Sequence, residues 1–144
     1  MIESCVQNTC KSSITVSVIV LTYNHENYIC QALDSILMQD VDFRYEILIG
    51  DDSSTDATPK ILLEYQLKYP EIIKLTLRKE NVGPTRNAYD LFLQAKGKYL
   101  ATCEGDDFWL DPNKLKRQVS FLENHREYVG CSHPSKIVDE QGEP

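Results

Sequence analysis

Apolar residues along this chain follow two periods in turn. Val16–Thr22 (VSVIVLT) is a nearly unbroken, mostly β-branched run, the pattern of a strand covered on both faces. Asn24 stands where it can cap a helix. Beyond it Ile29, Ala32, Leu33, Ile36 and Leu37 fall at i, i+3, i+4, i+7 and i+8, a single helical stripe. Residues 45–49 (YEILI) are a second buried-strand run. Thr58 then offers an N-cap and Pro59 a first-turn proline ahead of Ile61, Leu62 and Tyr65, and Pro70 stops that helix. Residues 72–77 alternate as a third strand. Gly83 and Pro84 break the chain before a stripe of Ala88, Leu91, Phe92 and Ala95, which Gly97 ends. Residues 99–103 read as a fourth strand. Asp111 and Pro112 open a helix carrying Leu115, Val119 and Leu122, and residues 128–131 read as a short fifth strand.

Strands that alternate with helices across short connections predict an α/β fold: a mostly parallel sheet, helices on both faces, right-handed crossovers. With 144 residues, 42% of them hydrophobic, the chain has core for one domain, placed over residues 14–138. Residues 1–13 and 139–144 are polar and aperiodic, and poor order is expected in both.

Charge and cysteine usage narrow the class. Fifteen Lys and Arg against 22 Asp and Glu give a net charge of -7, which opposes nucleic-acid binding because phosphate neutralisation needs a basic surface. Five cysteines without CxxC spacing fit reduced thiols in a cytoplasmic protein. Residues 1–13 hold no apolar h-region and no stretch reaches the length of a membrane span, so a chain neither secreted nor anchored by itself is expected.

Two acidic clusters carry the candidate chemistry. Gly50-Asp51-Asp52-Ser53-Ser54-Thr55-Asp56 and Glu104-Gly105-Asp106-Asp107 each follow a buried-strand run. Ligands of open parallel sheets bind outside the carboxyl ends of the strands, so the two loops can face one ligand. Hard oxygen donors suit Mg²⁺ or Mn²⁺, ions that bind one or two carboxylates together with a substrate diphosphate. The plain alternative for the second cluster is a solvated turn capping the next helix; its place after a buried strand favours a ligand site. Asp51 and Asp52 can accept hydrogen bonds from a ribose hydroxyl or a pyrimidine imide N–H. Asp56 reads as a turn or cap residue and is left outside the site.

Taken together, Val16–Thr22 with Tyr23 and Asn24, the run from Glu46 to Asp56, Asn81-Val82-Gly83 with Arg86-Asn87, and Gly97-Lys98-Tyr99 leading into Glu104-Gly105-Asp106-Asp107 resemble the nucleotide-sugar-binding portion of family 2 glycosyltransferases. The resemblance spans residues 16–131. It implies the GT-A fold, a Rossmann-like three-layer sandwich, and an inverting transfer from a nucleotide-diphosphate sugar, a UDP-sugar by this reading, to a glycan or lipid-linked hydroxyl. It also implies a divalent metal, Mn or Mg. Carried over by position, Leu21, Thr22 and Tyr23 line the base pocket, Asp52 meets the uracil edge, Asp51 lies by the ribose and Arg86 serves the nucleotide or diphosphate. Glu104, Asp106 and Asp107 fall on the DXD-type motif, with Asp106 or Asp107 holding the metal and the other acids orienting ribose and sugar. This sequence departs from the family in having Glu104 for the first acid of that motif, Leu21 for a proline and Ser53 for a glycine. The acceptor-activating base is expected beyond Pro144, in a longer enzyme that works in the cytoplasm or at the cytoplasmic face of the membrane, where peripheral association is open to it.

Other residues read as structural. Trp109 is expected as a core anchor, Cys103 as packed inside strand four, and His25, His125 and His133 lack zinc-ligand spacing. Lys114, Lys116 and Arg117 read as a solvated helix face that could approach an anionic membrane. A receiver-type domain would need an Asp at the end of strand three, where Arg78-Lys79 stand, and a dehydrogenase would need GxGxxG after strand one. A nucleotide-sugar-binding module without catalysis is the remaining alternative.

Overall fold

The computed structural model describes residues 13–139. The expectations of poor order at the two ends fall almost wholly outside them. Four strands, β1 (Val16–Thr22), β2 (Tyr45–Asp51), β3 (Ile73–Leu77) and β4 (Tyr99–Glu104), alternate with four helices, α1 (Ile29–Leu37), α2 (Thr58–Lys68), α3 (Pro84–Phe92) and α4 (Lys114–Asn124). The sheet is wholly parallel in the order β3-β2-β1-β4. The α/β architecture and its four long strands are those the periodicity predicts. The fifth strand is not: Tyr128 and Val129 lie exposed in irregular chain, and 128–131 does not pair with the sheet although β4 stands at its edge.

Strand order explains the layers. The chain steps outward from β1 to β2 to β3, then returns past β1 to β4, so right-handed crossovers put α1 and α2 on one face and α3 on the other. Alternate residues of β1 serve the two faces. Val16, Val18 and Val20 join Ile47, Ile49 and the α1 stripe Ile29, Ala32, Leu33 and Ile36 in the main core, to which Trp109 and Leu115 belong. Ile19 and Leu48 meet Leu91 of α3 in a smaller one.

The predicted stripe of α3 is rotated. Asn87 and Leu91 are buried while Phe92 is exposed, because Asn87 donates from Nδ2 to the Gly50 carbonyl at 2.8 Å. A Cβ at Gly50 would lie 2.3 Å from Oδ1 of Asn87, so glycine there lets α3 approach the sheet.

The caps also differ. Helix α1 starts at Ile29, with Tyr28 before it, and Asn24 instead takes a left-handed conformation (φ 57°). Thr58 and Pro59 are already helical, and the first-turn N–H of Thr58 is met by Oδ1 of Asp56 at 2.9 Å. Asp56 is therefore a helix-start residue, as read from the sequence.

Candidate functional site

The strand order reverses at β1, between β2 and β4, and both acidic clusters sit at the carboxyl end there. Thr22 pairs in register with Asp51 and Leu21 with Glu104, so the two loops flank the end of β1. Two strand spacings separate them, about 10 Å, a span that a nucleoside diphosphate covers.

Backbone bonds hold both loops to β1. The Asp52 N–H donates to the Thr22 carbonyl at 3.0 Å and the Gly105 N–H to the Leu21 carbonyl at 2.8 Å. Thr22 is buried, whereas Tyr23 stands 45% exposed just beyond the strand, where a ring can meet a ligand.

The acids of the first loop are enclosed. Asp51 accepts from the Ser54 N–H at 3.1 Å and from its hydroxyl at 2.5 Å. Asp52 lies ahead of α3 and accepts the N–H groups of Val82 at 2.8 Å and Gly83 at 2.9 Å, a charge the helix start favours. Each carboxylate oxygen has further lone pairs, so Asp52 keeps acceptor capacity.

The second loop is open. Glu104, Asp106 and Asp107 are exposed, and the turn is closed by the Asp107 N–H donating to the Glu104 carbonyl at 3.1 Å. Among the described residues no three His, Cys, Asp or Glu side chains converge as a cage for an ion. Behind the turn, α1 and the residues just past its end anchor the chain: Ser35 Oγ accepts the Trp109 N–H at 3.0 Å, and Gln39 donates to the Asp111 carbonyl at 2.9 Å and accepts the Leu115 N–H at 3.0 Å. Trp109 is buried beneath Lys114, whose Nζ lies 4.0 Å from its ring centroid. Burial, then the charge of Asp107, pushes the Cys103 thiol up to about 12, which disfavours the thiolate a nucleophile needs.

Arg86 stands apart. It is exposed on α3, its Nε 2.9 Å from Oδ1 of Asp90, and Arg78 reaches the other oxygen of Asp90 at 3.1 Å. The hydrogen bonds from Arg86 lead the causes that hold the Asp90 carboxyl below its ordinary value.

A clasp between the first two loops had no signal beyond the polar residue types. The Asn24 N–H donates to Ser54 Oγ at 2.8 Å, and Oδ1 of Asn24 accepts the Thr55 N–H at 2.8 Å. Glu26 is held twice: its N–H donates to Asp56 Oδ2 at 3.0 Å, and its Oε2 accepts the Ala57 N–H at 2.8 Å. His25 lies between these residues and the second acidic loop, its Nε2 3.9 Å from Oδ2 of Asp106.

Residues 17–143 match glycosyl transferase family 2. An uncharacterised protein of Mycobacterium tuberculosis is 45% identical over 127 residues, which cover 88% of this chain and 37% of that protein. The crystal structure of Staphylococcus aureus TarS 1-349 in complex with UDP-GlcNAc superposes with a TM-score of 0.69 at 32% identity, over 78% of this chain and 32% of that one. The mannosyltransferase PcManGT of Pyrobaculum calidifontis, in complex with GDP-Man and Mn²⁺, gives a TM-score of 0.68 at 27% identity, over 78% of this chain and 33% of its own. The chain thus spans well under half the length of these relatives.

Proposed function

Because the chain belongs to glycosyl transferase family 2, we propose that it forms the donor- and metal-binding part of an inverting glycosyltransferase of glycan assembly. The donor is a UDP-sugar and the acceptor a hydroxyl of a glycan or lipid-linked chain. The observation that carries this reading is the pair of acidic loops flanking the end of β1 where the strand order reverses. The nucleotide sugars named with TarS and PcManGT, and the Mn²⁺ named with the latter, support it.

In this proposal the ends of Leu21 and Thr22 and the Tyr23 ring receive the base, with Asp52 accepting its imide N–H. Asp51, tied to Ser54, shapes the ribose side. Glu104 and Asp106 orient ribose and sugar. Arg86 reaches the diphosphate by exchanging its surface partner Asp90 for the ligand, a swap a bidentate guanidinium can make. Asp106 and Asp107 fit a divalent ion: they are hard oxygen donors, exposed, and few enough to leave positions for water and diphosphate oxygens. Such an ion, when bound, offsets charge on the departing diphosphate. A single in-line displacement inverts the anomeric carbon. Among the described residues no helix is long and apolar enough to cross a membrane; the setting proposed is the cytoplasm, with peripheral membrane association of the full-length protein.

Calorimetric titration with UDP, GDP and TDP, each with Mn²⁺ and then with excess EDTA, tests the reading. One nucleotide should bind in a metal-dependent way, and Asp107→Ala should weaken that binding about tenfold or more with the thermal midpoint little changed. Failure of the folded protein to bind any of the three, or equal affinity in parent and variant, would count against it.

A further inference from the structure

Two polar atoms beside the second acidic loop have no hydrogen-bond partner: Oγ1 of Thr22, a residue 3% exposed, and Nδ1 of His25. Both press against Gly105. A Cβ there would lie 2.6 Å from Nδ1 of His25 and 2.9 Å from both Cβ and Oγ1 of Thr22, so the imidazole and the loop can pack this closely only across a glycine. The other ring nitrogen, Nε2, faces Oδ2 of Asp106 at 3.9 Å. That separation exceeds a hydrogen bond by less than an ångström or so, and a small rotation of an exposed aspartate side chain closes it.

The backbone of His25 is held from the far side. Its N–H donates to Thr58 Oγ1 at 2.9 Å, and its carbonyl accepts the N–H groups of Tyr28 at 3.0 Å and Ile29 at 2.9 Å. Its ring meets Tyr28 edge-on, with centroids 6.5 Å apart. Its two neighbours, Asn24 and Glu26, are the residues of the clasp. A ring fixed on the connection between β1 and α1 therefore faces Asp106 of the acidic turn.

We propose that His25 is a positioning residue for Asp106, donating from Nε2 to its carboxylate and so tying the metal and diphosphate loop to the nucleotide loops. The inference rests on the reading of Glu104, Asp106 and Asp107 given above. An exposed carboxylate on a turn must lose side-chain freedom when it engages a ligand, and a neighbouring N–H that already restricts it lowers that cost. His25 itself touches neither donor nor metal in this arrangement.

The test is calorimetric titration of the nucleotide that the parent binds, with Mn²⁺ and with EDTA, in His25→Leu, His25→Gln, Asp106→Asn and the double variant His25→Leu/Asp106→Asn. Leucine and glutamine both fill the space beside Gly105, and only glutamine keeps an N–H near the place of Nε2. His25→Leu should weaken Mn²⁺-dependent binding about tenfold and leave binding in EDTA unchanged. His25→Gln should recover most of the loss, and leucine should add nothing once Asp106 is asparagine. Equal weakening with Mn²⁺ and with EDTA, no rescue by glutamine, or a full additional loss in the double variant would overturn the inference while leaving the proposed function standing. A folded parent that binds no nucleotide would overturn the function and the inference with it.

Discussion

Glu46 shows how far one carboxylate can organise a structure. It is 1% exposed on the α3 side of β2, accepts the Ser17 hydroxyl at 2.7 Å and the Lys96 N–H at 2.9 Å, and pairs with Lys74. Burial pushes its pKa up, but the hydrogen bonds from Lys74, Ser17 and the Lys96 N–H outweigh that and hold it below the usual value of 4.5. A depressed folded-state pKa contributes stability above the unfolded value and loses it as pH falls through the folded one. Denaturant melts between pH 7 and pH 3 should therefore show a fall in stability below about pH 4.5 that Glu46→Gln reduces, and at pH 7 the variant should be less stable by about 2 kcal/mol. Nothing in YEILI announces these partners, since Lys96 is fifty residues on. The same holds for His25: its lack of zinc-ligand spacing was legible, its contact with Gly105 was not, because period and propensity describe neighbours in sequence.

At the scale of elements the hydrophobic pattern carried most of the information. Strands β1 to β4 and the stripe of α1 follow from runs and spacings that burial enforces directly. Helix starts were less legible because the expected cap acceptors took distant donors, Asn24 Oδ1 accepting the Thr55 N–H and the Thr58 hydroxyl oxygen the His25 N–H. Helix α3 turned because the polar Asn87 was drawn inward by the Gly50 carbonyl, which no hydrophobic stripe encodes. Its start illustrates a backbone demand: Gly83 has φ 83° and ψ 158°, a region nearly closed to side-chain-bearing residues. Although no atom lies within 4 Å of a Cβ there, Gly83→Ala should cost about 1–3 kcal/mol by thermal or denaturant melting. It should also loosen the Val82 and Gly83 N–H groups from Asp52, read as weaker nucleotide binding.

For the whole molecule, net charge and exposed apolar surface act against each other. The charge of -7 keeps copies apart at neutral pH and vanishes near the isoelectric point of about 4.9. Leu93, Leu100, Leu110 and Val129 are all more than half exposed. Light scattering across pH 4–8 should peak near pH 5, and Leu93→Lys with Leu100→Lys should lower the peak. Family membership and the parallel architecture were legible because several motifs in order constrain each other, whereas the irregular course of 128–131 depended on what lies beside it. Finally, β1 is hydrogen-bonded on both sides, with Thr22 opposite Asp51 and Leu21 opposite Glu104. It works as a ruler for both acidic loops at once: losing or gaining one residue within Val16–Thr22 would shift both by a strand position and invert the faces of the core. An insertion beside the exposed Asp42, at the amino ends of the strands and past the Gln39 contacts, leaves that measure intact, so length variation is tolerated there and forbidden along the central strand.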